Sequence, residues 1–166
     1  MNTLQQVYHT LKKKQTKNVQ DFYVPVIHDL NRPAEIVSVN PFEYFSEKVE
    51  RIIHSPARER VSGKHCEWSR KAVIYNLFVR LATAFDHDGN GKLDLPKNSA
   101  GFRETGTFLK SIALLPHLER LGVNTIHLLP ITSIGSDGNK GRLGSPYAIR
   151  NAFKIDENLA EPMLGL

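Results

Sequence analysis

Residues Phe85 to Asp94 read FDHDGNGKLD, with three aspartates, one asparagine and two glycines directly after an apolar run. Asp86, Asp88, Asn90, Lys92 and Asp94 fall at every second position. In a tight loop this alternation can turn oxygens inward at a hard cation, and calcium takes about 6–8 oxygens at roughly 2.3–2.6 Å. Asp86, Asp88, Asn90 and Asp94 offer side-chain oxygens. Lys92 can offer only its backbone carbonyl, because an ammonium does not ligate. Gly91 permits the sharp turn, and Leu93 would anchor the loop to the core. The first nine positions match an EF-hand loop. The twelfth should be a bidentate glutamate but is Lys97, after Pro96, and the preceding stretch reads as strand rather than helix. The spacing predicts a structural calcium site on another scaffold, against the alternative of an acidic turn without metal.

The flanking elements must hold that loop in place. AVIYNLFVRL is nearly continuous in apolar residues and predicts a strand buried on both faces. After the loop, GTFLKSIALLPHLERLG places Phe108, Leu109, Ile112, Leu115, Leu118 and Leu121 on one helical stripe. Gly122 marks its end, and Pro116 within it should kink or split the helix. VNTIHLLPI is a second buried strand. Strand, loop, helix, strand is a βαβ unit, with parallel strands and a right-handed crossover. The segment that follows contains Gly135, Gly138, Gly141 and Gly144 and no apolar period. It reads as a loop at the carboxyl end of a parallel strand, where α/β folds bind ligands.

Residues 1–70 differ from residues 71–166. They are polar and mostly helical or irregular. Leu4, Val7, Tyr8 and Leu11 share a helical face, as do Phe42, Phe45, Val49, Ile52 and Ile53. Asn40 should cap the second helix, with Pro41 at its first position. DFYVPVIHDLNRPAEI, broken by Pro25 and Pro33, should be extended or looped, and SPARERVSGKHCEWSRK reads as a connector.

With 40% hydrophobic and 23% charged residues, a globular chain is expected. No run approaches the roughly 18 apolar residues that cross a bilayer, so no membrane partner is expected. The amino-terminal stretch has no secretory apolar core, and Cys66 is the only cysteine. Both fit a cytoplasmic setting. The net charge of +5 comes from scattered basic residues. The one cluster, Lys12, Lys13, Lys14 and Lys17, reads as a solvated helix face rather than a nucleic-acid patch.

The strand, acidic loop, helix ending in LGV, second strand and Ile-Asp segment, as HLERLGVNTIHLLPI and GSPYAIRNAFKIDENL, together resemble the α-amylase family of glycoside hydrolases. The resemblance covers residues 71–160. It implies an α/β fold, here the first βαβ unit of an incomplete (β/α)₈ TIM barrel preceded by the helical segment. It implies action on the α-glucosidic linkages of glucans or oligosaccharides, by retaining hydrolysis or transglycosylation. In this family the nucleophile, acid/base and supporting carboxylates come from later strands. No catalytic residue is therefore assigned here, and the chain alone is expected to be inactive. Tyr147 aligns with the family tyrosine that stacks on the sugar at the cleavage subsite. Asn151 falls where many members have an aspartate. The common Gly-Tyr-Asp reads Pro146-Tyr147-Ala148, so the carboxylate after the tyrosine is lost. Three alternatives are a small calcium-binding module, a non-catalytic sugar-binding module and a basic nucleic-acid binder, the last disfavoured because no aromatic platforms stand among the basic residues.

The other polar candidates carry plainer readings. His127 should be a hydrogen-bonded core residue. Arg80 should close a structural ion pair, and Asp156 should cap a turn. His65 and Cys66 are adjacent but lack a base partner in sequence. Lys140 and Arg142 lie in the glycine-rich loop, where solvent exposure is expected.

Overall fold

The computed structural model describes residues 3–16, 19, 22–25, 36–56, 67–137, 141 and 143–165. Lys17, Pro33, His65, Cys66, Gly138, Lys140 and Arg142 lie outside the described residues.

Helix α1 (Thr3–Lys14) buries Val7 and Leu11 on the face their spacing defines. Its last turn holds Lys12, Lys13 and Lys14, where positive charge suits the helix dipole. The Lys14 ammonium donates to the Met163 carbonyl, so this cluster is tied partly into the fold. A short antiparallel pair, β1 (Tyr23–Pro25) and β2 (Ile36–Ser38), leads to α2 (Pro41–Ile53). Asn40 caps α2 by accepting from the Phe42 and Glu43 N–H groups at 3.0 and 3.4 Å, with Pro41 at the first helical position.

The second part contains β3 (Ile74–Leu77), the single turn α3 (Val79–Ala82), α4 (Phe108–Arg120) and β4 (Thr125–Leu128). β3 and β4 pair in parallel, Ile74 opposite Thr125 and Leu77 opposite Leu128. Thr107 caps α4, accepting from the Lys110 N–H at 3.4 Å. Pro116 lies inside α4 without splitting it. Only the Ile112 carbonyl loses its helical donor there.

Three expectations are corrected. The apolar run from Ala72 does not form one long buried strand: β3 ends at Leu77, and Val79 and Arg80 turn inward on α3. Ile74 is 57% exposed and β4 has no fully buried residue, because among the described residues α4 covers one face of this sheet, through Tyr75, Leu77 and Ile126, and leaves Ile74 open. The segment after β4 is not a plain loop but an antiparallel hairpin, β5 (Thr132–Ile134) with β6 (Ile149–Ile155), whose pairing shifts register twice. Every residue of β6 is exposed. His127 is exposed rather than buried, although its Nδ1 lies 2.8 Å from Asn76 Oδ1 on the neighbouring strand.

Two cores result. The larger joins Val7, Leu11, Phe22, Phe42, Phe45 and Val49 of the first segment to Phe102, Leu109 and Ala113 of the second. Phe102 is its centre, with ring centroids 5.2 Å from Phe22, 5.3 Å from Phe42 and 5.6 Å from Phe45. The smaller core packs Leu77, Val79, Leu114, Leu118 and Leu159. Gly106 lies where the chain passes α3, and a Cβ there would sit 1.8 Å from the Val79 carbonyl oxygen.

Candidate metal centre

The loop after α3 is built by its own side chains. Asp86 Oδ1 accepts from the Gly89 N–H and Oδ2 from the Gly91 N–H, both at 2.7 Å. These bonds need the chain to turn back sharply, and Gly89 and Gly91 do so at φ +77° and +81°. Asp88 accepts from the Asn90 N–H at 3.0 Å. The Asn90 amide donates to Asp88 at 3.0 Å and to Asp94 at 3.1 Å. The Lys92 N–H donates to Asn90 Oδ1 at 2.9 Å, so Lys92 joins this network through its backbone. Partial desolvation pushes the Asp86 carboxyl up. The Gly91 and Gly89 N–H groups outweigh it, so Asp86 stays below the usual carboxylate range.

Glu104 lies beneath the loop and is buried. Its Oε1 accepts from the His87 N–H at 3.1 Å, and its Oε2 accepts from the Asp94 N–H. Carboxylate oxygens of Asp86, Asp88 and Glu104 lie within 4.8 Å of one another. The structure thus brings Asp86 and Asp88 together with a third carboxylate, and Asn90 bridges Asp88 to Asp94.

The loop is fastened to the body of the protein. The Tyr23 N–H donates to the His87 carbonyl at 2.8 Å, and the Phe85 N–H to the Glu104 carbonyl at 3.0 Å. His87 stacks on Phe22 with ring centroids 4.7 Å apart. Burial, followed by the Lys110 charge, pushes His87 down to about 4, so it is neutral at pH 7. Its 3.2 Å approach to Glu104 is then no ion pair.

Behind Glu104 the buried Lys110 ammonium donates to three carbonyls, those of Arg103, Glu104 at 3.1 Å and Thr105 at 3.2 Å. It also sits 4.1 Å from the centre of the Phe85 ring. Burial pushes Lys110 down to about 8, against the pull of Glu161 and Glu104. Glu161 accepts from Thr107 Oγ1 at 2.9 Å and the Arg103 N–H at 3.1 Å. Burial raises its carboxyl above the ordinary value, with Lys110 opposing. Residues 103–107, which carry Glu104, are therefore pinned from both sides.

The other candidates lie elsewhere. Tyr147 precedes β6, is 67% exposed and takes no part in the acidic loop. Asn151 sits in β6 opposite Ser133, and its Oδ1 accepts from the Phe153 N–H at 2.9 Å. Arg80 forms a buried ion pair with Asp156 and donates to the Leu143 carbonyl. Asp156 also caps the turn Glu157–Leu159, accepting from the Asn158 N–H at 3.0 Å. Both residues thus have the structural roles expected of them.

The sequence pattern missed Glu104, Lys110 and Glu161. Lys110 left a trace: it stands four residues before Leu114 and eight before Leu118, a charge on a buried helical row. Glu104 left none, because it lies ten residues beyond Asp94.

No known family profile matches the chain. It is similar to an α-1,4-glucan:maltose-1-phosphate maltosyltransferase of Mycolicibacterium smegmatis, at 31% identity over 120 residues. The match covers 62% of this chain and 16% of that protein, so the chain spans about a sixth of the length of its relative.

Proposed function

We propose that this chain is the opening part of an α-amylase-family enzyme that acts on α-glucosidic linkages, and that the loop after α3 holds a structural calcium ion. The similarity to the maltosyltransferase carries the reading. The parallel β3–β4 pair, with α4 between its strands in the chain, suits the start of a (β/α)₈ barrel of about 250 residues. Retaining chemistry needs two carboxyl groups about 5–5.5 Å apart, and in this reading both come from later strands. Tyr147 and Asn151 would lie on the substrate side. Their exposure leaves them free to meet a glucan, and an aromatic face suits a pyranose ring.

Asp86, Asp88, Asn90 and Asp94 would hold the ion with side-chain oxygens, Lys92 with its carbonyl, and Glu104 as an added carboxylate. The donors are all hard oxygens, as calcium prefers. The ion would fix the loop against β1 and take no part in bond cleavage.

Two experiments test the reading. The full native gene product, given α-glucans and maltose 1-phosphate, should release or transfer glucosyl units with retained configuration, followed by proton NMR. An inert product would refute the enzymatic reading and leave a binding module. Titration of the metal-free chain with calcium should raise its Tm, with about 2.7 kcal/mol of stabilisation at a hundredfold excess over Kd. No shift at millimolar calcium would refute the metal site.

A further inference from the structure

Asn90–Gly91 is the only Asn-Gly pair in the chain, and both residues are exposed. Glycine offers no side chain to shield its nitrogen, and asparagine is a thermolabile residue. The nitrogen of Gly91 can attack the Asn90 side-chain carbonyl carbon. A bond forms between Gly91 N and Asn90 Cγ, the Cγ–Nδ2 bond breaks, and ammonia leaves with the proton that Gly91 N has lost. The product is a cyclic imide. Water then opens it at the side-chain carbonyl, giving aspartate, or at the backbone carbonyl, giving isoaspartate.

The folded loop opposes each requirement of this reaction. Gly91 N–H is held by Asp86 Oδ2 at 2.7 Å, and a carboxylate beside that nitrogen disfavours the negative charge that attack requires. The Asn90 carboxamide is held away on other partners, by Lys92 N–H at 2.9 Å, Asp88 at 3.0 Å and Asp94 at 3.1 Å.

We propose that Asn90–Gly91 is a site of spontaneous deamidation that Asp86 holds closed in the folded loop. Opening of the loop starts the reaction, and the isoaspartate product ends the loop's order. It adds a methylene to the backbone and a negative charge beside Asp88 and Asp94, and it removes the amide that bridges them. The inference does not depend on calcium or on any glucan activity.

The test incubates the chain at mildly alkaline pH with a chelator, folded or in urea, and maps tryptic peptides by mass. Deamidation adds about one dalton to the peptide Leu81–Lys92, whereas isomerisation at Asp88–Gly89 adds none. The folded protein should deamidate roughly tenfold more slowly than the urea-unfolded chain. Asp86→Ala, if folded by circular dichroism, should approach the unfolded rate at Asn90 while Asn98, in peptide Asn98–Arg103, keeps its folded rate. Equal rates for the folded and unfolded wild type would overturn the proposal. So would equal acceleration of Asn90 and Asn98 in the variant, which would mean general loosening. The wild-type comparison decides the matter even if Asp86→Ala does not fold.

Discussion

The helical core around Phe102 and the two strand pairs of the second segment treat apolar side chains in opposite ways. Leu11, Phe42, Phe45, Val49 and Phe102 are all fully buried, drawn from both segments. Across β3 and β6, Ile74 is 57% exposed and Phe153 is 102% exposed. The residue types are the same, so the difference lies in partners. α4 has α2 and Phe102 to pack against, whereas among the described residues β3 and β4 pair with each other and pack on α4 and Leu159 through one face. Parallel strands ordinarily require cover on both faces. Among the described residues the helical core is covered, whereas the strand pairs leave apolar side chains exposed.

The most severe way to break the comparison is Phe102→Ala. Truncating a buried phenylalanine costs about 3–5 kcal/mol through lost transfer energy and the cavity left behind. Phe102 touches Phe22, Phe42 and Phe45, so its loss should also uncouple the first segment from α4. Urea unfolding should show this drop in one transition. Two separated transitions would mean that the segments are fully uncoupled without Phe102, and a stability equal to that of the parent would mean that Phe102 does not join them.

Next in size is Arg80→Met. It leaves Asp156 buried without its cation, and breaking one side of a buried pair costs about 3–5 kcal/mol. The hairpin is anchored here, so hydrogen exchange should rise in β5 and β6 while α1 and α2 keep their protection. A uniform rise would mean that the hairpin and the helical core form one cooperative unit.

How much of this was legible follows from the range of each signal. Both amino-terminal helices, the Asn40 cap with Pro41 and the run of α4 were readable, because period and capping act within a few residues. The crowded acidic loop was readable for the same reason. The joint core was not, because nothing near Phe102 announces that it will meet Phe22 and Phe45. Arg80 was expected to close an ion pair, but its partner stands 76 residues away, beyond any local pattern. The β5–β6 hairpin was hidden by its glycines, although Ile149, Asn151, Phe153 and Ile155 alternate as a strand should. The long apolar run after Lys71 misled, since its composition reflects burial that the described residues do not provide.

Lys110 sharpens the comparison at the helical side. Its folded pKa, about 8, lies below the ordinary 10.5, so between these values the unfolded chain binds the extra proton. Stability should therefore rise with pH across that window, by roughly 3 kcal/mol. Glu161 has a raised pKa, so its burial cost appears as pH rises above the ordinary carboxylate range, the opposite sign to Lys110. Lys110→Met should remove the alkaline rise in urea-melt stability. It should also lower stability at pH 7, because the carbonyls of Arg103, Glu104 and Thr105 lose their shared donor. A slope that survives in the variant would assign the titration to another group.

The smallest effect should come from Phe153→Ala. A side chain with no buried area in the folded chain loses nothing on truncation, and exposed substitutions ordinarily stay within about 0.5 kcal/mol. Placed beside Phe102→Ala, this is the same chemical change in the same protein at the two extremes of burial. A cost near zero, with solubility equal or better, would confirm that the hairpin face is free in this chain. A cost of several kcal/mol that grows with protein concentration would mean that copies of the chain already cover β6 in solution. The contrast between the two regions would then belong to the monomer alone.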